Sequence, residues 1–418
     1  MQEIAHLVLV DGSVWPGRPF GARGQHSGEV VFNTSMTGYQ EILTDPSYCR
    51  QIVVMTAPHI GNTGVNDEDD ESERSWVSGF VVRRASLNVS SWRATSSLDD
   101  YLRERGVVGI DGVDTRALVR HIRERGAMHG AIVSDGSDAE TALAIAKAAP
   151  DINSLDLVGE VSCAAAYEWT EPADPRWYPL GLGGDDPAGD AAAFAAAMRV
   201  GGPPPTPVPL PGLAPTGEPE DAPHVVVYDF GVKRNTLRLL AARGQRVTVV
   251  PARTPAEQVL AMRPDGILLS NGPGDPARLG DVVDNVRALV GRVPIFGICL
   301  GHQLLGLALG GRTYKLKFGH RGGNQPVKGP EPHVAISSQN HGFALADHGL
   351  DEDVAITHRS LNDQSVEGLA CERRRAFSVQ YHPEAAPGPH DAADLFDRFH
   401  DAITTHTANA AAPLGGVR

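Results

Sequence analysis

Short apolar segments alternate with helix-like segments in the second half of this 418-residue chain. The apolar runs are His224–Tyr228, Val247–Val250, Gly266–Leu269 and Pro294–Ile298. Helical patterns fall between and after them, at Lys233–Arg243, Ala256–Met262, Asp281–Val290 and beyond Cys299. Nearly continuous apolar runs indicate strands buried on both faces, and their alternation with helices is typical of a helix-covered parallel sheet. We therefore predict an α/β domain with a mostly parallel sheet and helices on both faces.

The prolines divide the chain, because 13 of the 31 fall within residues 171–223. Such a density disfavours helices and central strands, which need the backbone N–H that proline lacks. We predict an N-terminal domain at 1–165, a Pro-rich linker or insertion at 166–222, the α/β domain at 223–405 and a flexible tail at 406–418.

The N-terminal domain has a mixed pattern. Strand-like runs and helical stretches follow one another without regular alternation, which predicts an α+β domain. The strand-like runs are Ile52–Met55, Phe80–Val82 and Ala131–Val133, and the helical stretches are Asp99–Arg105 and Thr115–Arg125.

Composition excludes several classes of protein. Hydrophobic residues make up 41% of the chain and charged residues 21%, which argues against wholesale disorder. A net charge of −14 argues against a nucleic-acid-binding surface. No apolar run reaches the roughly 18 residues of a membrane helix, and Ile4–Val10 lacks the flanks of a signal peptide. The four scattered cysteines fit a reducing compartment and no disulfide scaffold. We expect a cytoplasmic protein that acts on a small molecule.

A G-x-C-x-G motif follows the apolar run that ends at Ile298 and precedes a helical pattern. This is the spacing of a nucleophile elbow, with Cys299 in the place of a hydrolase serine. Gly297 and Gly301 allow the sharp turn, and the helix N-terminus favours the thiolate. A buried structural cysteine is the alternative for any lone cysteine, and the strand–turn–helix context argues against it.

A base and an orienting group are available in the segment Ala376–Glu384. In an extended chain His382 and Glu384 point to the same face, so the carboxylate could hold the imidazole while the imidazole exchanges protons with Cys299. Pro383 restricts the pair to a strand end or edge. Without the elbow, a solvated surface pair would be the preferred interpretation.

Acyl chemistry also needs donors for a developing oxyanion. In elbow enzymes one donor is the N–H of the residue after the nucleophile, here Leu300. The glycine-rich segment Ser270–Pro276 is the candidate for the second donor, although taken alone it reads as a tight turn.

Three blocks of the second half resemble the class I (triad) glutamine amidotransferases. They are Asn271-Gly-Pro-Gly, Gly297-Ile-Cys-Leu-Gly-His-Gln and Tyr381-His-Pro-Glu. Further blocks resemble the carbamoyl-phosphate synthase small chains. These are Phe32-Asn-Thr-Ser-Met-Thr-Gly-Tyr-Gln-Glu, Asp45-Pro-Ser-Tyr, Gly61-Asn-Thr-Gly-Val-Asn, Gly112-Val-Asp-Thr-Arg and Val227-Tyr-Asp-Phe-Gly-Val-Lys-Arg-Asn.

The resemblance implies a role for each matching residue. Cys299 is the nucleophile, His382 and Glu384 are its partners, and Gly272 and Leu300 supply the oxyanion N–H groups. The residues implied to hold L-glutamine are Ser47, Gly272, Gly274, Leu300, Gln303, Asn340, Gly342 and Phe343. Ser47 belongs to the N-terminal domain, so we expect the site near the domain interface.

The resemblance also implies a division of labour between two chains. This chain would hydrolyse glutamine and pass ammonia to a large chain, which uses ATP, magnesium and bicarbonate to make carbamoyl phosphate for arginine and pyrimidine biosynthesis. The sequence contains no Walker A or G-x-G-x-x-G motif, so no cofactor is predicted for this chain. His320 and His341 show no metal-ligand spacing, so no metal is predicted either. The expected partners are L-glutamine and the large chain, in a heterodimer or a higher oligomer of that heterodimer, without nucleic acid or membrane.

Three other readings remain open at this point. Another triad amidotransferase glutaminase would carry a different companion domain. A stand-alone cysteine hydrolase of γ-glutamyl compounds would need no partner. A catalytically dead regulatory subunit would not require an intact Cys–His–Glu set.

Overall fold

Two domains, each built on one sheet, make up the computed structural model, which describes residues 3–173, 222–330 and 334–411, with side chains up to residue 408. Most of the Pro-rich segment predicted at 166–222 lies outside the described residues. So does the end of the predicted tail, after residue 411.

The N-terminal sheet is a closed barrel in the order β1-β2-β6-β5-β4-β3-β7. Its strands are β1 Ala5–Leu9, β2 Val14–Gly21, β3 Gln25–Asn33, β4 Gln51–Met55, β5 Gly79–Val82, β6 Val108–Asp111 and β7 Met128–Val133. The helices are α1 Tyr39–Thr44, α2 Leu98–Glu104, α3 Thr115–Arg125, α4 Ala139–Ala148 and α5 Leu157–Val161. Successive residues of β4 belong to two different apolar clusters. Val53 lies in one cluster with Leu102 of α2, and Ile52 lies in the other with Leu118 of α3. The domain is mixed α and β as predicted, but the barrel closure was not foreseen.

The second sheet has ten strands in the order β14-β13-β15-β16-β17-β12-β11-β9-β10-β8. They are β8 Tyr167–Trp169, β9 His224–Asp229, β10 Arg246–Pro251, β11 Gly266–Leu269, β12 Ile295–Ile298, β13 Thr313–Lys328, β14 Val334–Leu345, β15 Ala355–Ser360, β16 Val366–Cys371 and β17 Ala376–Val379. The five strands from β10 to β17 in the middle of this order are parallel. Antiparallel strands extend the sheet at both ends.

Helices cover both faces of the parallel strands, as the alternation of sequence patterns predicted. They are α6 Arg234–Ala242, α7 Ala256–Ala261, α8 Gly280–Leu289, α9 Leu300–Ala308 and α10 Asp394–Ala411. Val225 and Val227 of β9 lie in the apolar cluster formed with α6 and α10. Val226 and Tyr228 lie in the cluster formed with α8 and α9. Because successive strand residues face opposite ways, a continuous apolar run supplies both cores.

Two predicted boundaries differ from the observed elements. Strand β8 lies at the start of the range 166–222 and pairs antiparallel with β10, so these residues are part of the second sheet. Helix α10 ends at Ala411, inside the range predicted as a tail.

Strand β13 connects the two domains. The Thr34 N–H donates to the Arg321 carbonyl at 3.3 Å, and the Ala127 N–H donates to the Lys317 carbonyl at 2.9 Å. Among the described helices, none has the length and apolar character needed to cross a bilayer.

Candidate active site

The nucleophile elbow is present between β12 and α9. Cys299 has φ 53° and ψ −102°, a positive φ that costs a non-glycine residue about 1–3 kcal/mol. A Cβ on Gly301 would lie 2.1 Å from the Leu269 carbonyl oxygen, and one on Gly297 would lie 2.8 Å from the Gly301 oxygen. Only glycine therefore fits at the two flanking positions, and the close packing holds Cys299 at the end of the sheet.

The sulfur of Cys299 lies among polar groups. Its Sγ is 3.6 Å from the Asn340 carbonyl oxygen and 3.7 Å from the Gln380 side-chain nitrogen. Cys299 also precedes the first turn of α9, where the N–H groups have no acceptor within the helix. The positive end of the helix dipole thus lies next to the sulfur.

His382 and Glu384 follow the end of β17, the strand beside β12. The His382 N–H donates to the Ser338 carbonyl at 2.8 Å, which fixes the backbone immediately before Pro383. The imidazole Nδ1 then donates to Glu384 Oε1 at 2.6 Å. Within the described residues, the buried His382 Nε2 has no hydrogen-bond partner, so it is available for proton exchange.

The charges of this group determine its protonation. Burial lowers the pKa of His382, but the Glu384 carboxylate and the Cys299 sulfur outweigh it and raise that pKa to about 10. Burial raises the pKa of Glu384, but Lys233 and His382 outweigh it and lower that pKa to about 2. The arrangement therefore favours an imidazolium held by an ionised carboxylate beside the sulfur.

Lys233 contacts the same Glu384 oxygen as His382 does, a role that sequence reasoning missed. Its Nζ lies 2.9 Å from Glu384 Oε1 and 3.0 Å from the Ala386 carbonyl oxygen, and only 3% of its side chain is exposed. The neighbouring Asn235 side chain donates to the Glu384 carbonyl, and the Asn235 N–H donates to Glu71 Oε2 at 3.0 Å. Lys233 and Asn235 lie within the block that begins at Val227. This block resembles the small-chain family, but the resemblance assigned no role to either residue.

The glycine-rich loop after β11 packs against the start of α9. A Cβ on Gly272 would lie 2.1 Å from the Phe230 carbonyl oxygen and 2.9 Å from Leu300 Cδ2. Gly274 has φ 93°, a conformation that L side chains rarely adopt. The loop thus brings the backbone of Gly272 beside Leu300, where both predicted oxyanion donors lie close to Cys299.

One pocket brings together most of the predicted glutamine-binding residues. Cys299 lines it together with Ser47, Gly272, Gly274, Gln303, Asn340, Gly342 and Phe343. Leu300, the residue after Cys299, is buried and is not among the lining residues. Gln303 already has internal partners, because its side-chain nitrogen donates to the Phe343 carbonyl at 2.8 Å and to Gln380 Oε1 at 2.9 Å.

Both domains contribute to this pocket. Ser47 lies in the short turn after α1, and its hydroxyl accepts a hydrogen bond of 3.0 Å from Asn271. Asp45 caps the same turn through the Ser47 N–H at 2.8 Å and accepts from the Asn340 side chain at 3.1 Å. The position expected for the site, near the domain interface, is therefore the position observed.

Three charged lining residues were not predicted from the sequence. Glu29 of β3 pairs with Lys315 of β13 at 2.9 Å, and Arg321 is buried on the same strand. The pKa of Arg321 is lowered from its ordinary value because the effect of burial exceeds the opposing effects of Glu29, Tyr48 and Cys299. None of the three belongs to a recognised block, although Glu29 lies just before the one that begins at Phe32. The folded structure identified them by bringing β3 and β13 together at the pocket.

Comparisons with known proteins show which family the chain resembles. Residues 7–132 match the family described as carbamoyl-phosphate synthase small chain, CPSase domain, and residues 226–402 match glutamine amidotransferase class-I. The chain is 55% identical to the carbamoyl phosphate synthase small chain of Syntrophotalea carbinolica, covering 95% of this chain and 97% of that one. It is 48% identical to the Escherichia coli K12 small chain, covering 98% and 100%. With the chloroplastic small chain of Oryza sativa the identity is 46%, covering 94% and 81%. The chain belongs to the family of carbamoyl phosphate synthase small chains.

Proposed function

We propose that this chain is the glutaminase subunit of a carbamoyl phosphate synthase. The observation that carries the proposal is the contact of His382 with Glu384 beside Cys299, which lines a pocket formed by both domains. A cysteine, a base and an orienting carboxylate in this order are what acyl transfer through a thioester requires. The predicted roles of the glutamine-binding residues belong to this proposal.

The first half of the reaction forms the acyl-enzyme. The Cys299 thiolate attacks the side-chain amide carbon of L-glutamine, and the carbonyl oxygen becomes an oxyanion. The N–H groups of Gly272 and Leu300 stabilise it, and one such donor is typically worth about 3 kcal/mol. The imidazolium of His382 gives its proton to the amide nitrogen, the carbon–nitrogen bond breaks, and ammonia leaves.

The second half regenerates the enzyme. Neutral His382 takes a proton from water, and the resulting hydroxide attacks the thioester carbonyl. The carbon–sulfur bond breaks, glutamate is released, and the thiolate returns beside the imidazolium. Glu384 holds the ring orientation throughout, and Lys233 keeps Glu384 ionised.

The ammonia serves a partner chain in this proposal. A large chain would use ATP, magnesium and bicarbonate to convert it to carbamoyl phosphate for arginine and pyrimidine biosynthesis. A protected path is favoured because ammonia released into neutral water becomes ammonium, which is not a nucleophile.

The four cysteines are all free thiols, which fits a reducing compartment such as the cytoplasm.

Glutamate release from L-glutamine tests the proposal. The purified chain is assayed alone and with the large chain of a bacterial carbamoyl phosphate synthase, with ATP and bicarbonate present or omitted. We expect a weak basal rate that rises only in the complete mixture. A fast rate that is indifferent to the large chain would identify a free-standing hydrolase instead.

A further inference from the structure

Three side chains from the antiparallel part of the second sheet converge beside the glutamine pocket, which one of them, His341, also lines. His320 of β13, His341 of β14 and Glu367 of β16 each direct one nitrogen or oxygen to a common point, and these atoms lie within 4.8 Å of one another. Spacing along the chain did not reveal them. The strand pairing does, because His320 lies directly opposite His341.

The hydrogen bonds of His341 leave its Nε2 without a proton. Its Nδ1 lies 2.7 Å from the Phe343 carbonyl oxygen, which can only accept, so Nδ1 carries the hydrogen of the neutral ring. Nε2 then faces Gln339 Oε1 at 3.3 Å. The orientation of the Gln339 amide is fixed by its nitrogen, which donates to Glu367 Oε2 at 2.9 Å. Two lone pairs therefore face each other in a buried position.

His320 is oriented in a corresponding way. Its Nε2 lies 2.9 Å from Asp363 Oδ2, and a carboxylate on one ring nitrogen leaves the other nitrogen for the interior. That second nitrogen, Nδ1, is buried without a hydrogen-bond partner in the described part of the chain and lies 3.7 Å from Glu367 Oε1. Only 10% of the His320 side chain is exposed, and Glu367 is fully buried.

We propose that His320, His341 and Glu367 form a zinc site. Metal-bound histidines typically donate their second ring nitrogen to a carboxylate or a backbone carbonyl, and both histidines do so here. Two imidazole nitrogens and one carboxylate oxygen are a donor set that zinc accepts. Ligands about 2.1 Å from a tetrahedral ion are roughly 3.4 Å apart, so the pair at 3.7 Å needs little movement. Gln339 Oε1 is placed to complete the set.

The site would act on the structure beside the nucleophile. His341 lies between Asn340 and Gly342, which line the glutamine pocket, and the Asn340 carbonyl contacts Cys299 Sγ. An ion that joins β13, β14 and β16 would fix this segment of β14. Because protein atoms supply all the donors, its role is structural rather than hydrolytic.

Zinc binding by the full-length chain is the test. The protein is freed of metal with a chelator, titrated with Zn²⁺ by calorimetry, and analysed for metal content after dialysis. Co²⁺ is added in parallel, because tetrahedral coordination gives it intense visible absorption. We expect one ion per chain, a tetrahedral Co²⁺ spectrum, and a higher melting temperature with Zn²⁺ present.

Matched variants locate the ion. Glu367→Gln keeps the size of the side chain and removes its charge, and His320→Ala removes a ligand. We expect each to weaken Zn²⁺ binding by at least about 10-fold, and Asp363→Asn to weaken it by ~10–100-fold through the orientation of His320. His348→Ala, on an exposed histidine outside the cluster, should bind zinc as the unchanged chain does.

Two results would overturn the proposal. Failure of the unchanged chain to bind Zn²⁺ stoichiometrically would leave His320 and Glu367 as an ion pair only. Binding that persists equally in the Glu367→Gln and Asp363→Asn variants, both folded by circular dichroism, would indicate an adventitious ion only. These two near-isosteric changes keep the test decisive if His320→Ala fails to fold.

Discussion

Lys233 Nζ lies 2.9 Å from Glu384 Oε1, and both side chains are buried. The same oxygen accepts the hydrogen bond from His382, so one carboxylate connects the lysine cation to the proposed catalytic base. A buried carboxylate alone would tend to take up a proton, whereas the lysine lowers its pKa. The ion pair thus keeps the Glu384 carboxylate charged in a buried position.

Replacing Lys233 by methionine should therefore damage both stability and catalysis. The Glu384 carboxylate would be left buried without the positive charge of the lysine. Breaking a buried ion pair costs about 3–5 kcal/mol of stability. Denaturant unfolding measures this loss, and glutaminase assays measure the second effect. Lys147→Met, on an exposed helix position, is the control and should change stability by less than about 0.5 kcal/mol. Equal behaviour of the two variants would contradict the role given to Lys233.

Cys299→Ser should abolish glutamine-dependent carbamoyl phosphate synthesis by the assembled complex and leave ammonia-dependent synthesis intact. The reason is that the proposed nucleophile acts only in releasing ammonia. Both rates are measured on one preparation, with Cys163→Ser as a control at a half-buried cysteine outside the pocket. Loss of both activities in a folded complex would contradict the division of labour.

His382→Asn should cost more activity than Glu384→Gln, because supplying the base matters more than orienting it. In serine triads the corresponding losses in kcat are roughly 10⁶-fold and 10⁴-fold. Steady-state rates of glutamate release from L-glutamine give the comparison, provided that both variants retain the native circular dichroism spectrum. Equal losses would count against the assigned roles.

Acid should weaken the folded state through Glu384. Its folded pKa of about 2 lies below its ordinary value of 4.5, so its contribution is complete above the ordinary value and is lost as the pH falls through about 2. The shift corresponds to something on the order of 3 kcal/mol. The free energy of unfolding of the unchanged chain should fall more steeply between about pH 5 and pH 2 than that of Glu384→Gln. If the free energy of unfolding falls equally with pH in both proteins, Glu384 does not cause the loss of stability in acid.

Gly272→Ala should slow glutamine hydrolysis, since the added Cβ would lie 2.1 Å from the Phe230 carbonyl oxygen and displace the loop that carries an oxyanion donor. Loss of one such donor reduces kcat by roughly 10²–10³-fold. Gly280→Ala is the matched control, because its Cβ would meet nothing within 4 Å. A Gly272→Ala variant with the unchanged kcat would exclude Gly272 as a donor.

Sequence reasoning located the parallel strands and paired His382 with Glu384 because both are local signals. Runs such as Ile295–Ile298 are apolar at every position, and His382 is two residues from Glu384. The barrel escaped prediction because its neighbouring strands β2 and β6 are far apart in the sequence. The long strands β13 and β14 were not predicted because buried and exposed residues do not alternate regularly along them. Lys233 was quoted, but nothing in the sequence shows that a lysine will be buried against Glu384.

The hydrogen bond from Asn271 to Ser47 crosses from one domain to the other inside the pocket. A molecule bound there would contact both domains at once. If the domains moved apart, part of these contacts and of the binding free energy would be lost. By thermodynamic linkage, glutamine should make the two domains harder to separate, and anything that holds the domains together should tighten glutamine binding by the same factor. Under the proposed function, the N-terminal barrel would therefore contribute to substrate affinity as well as pack against the second domain.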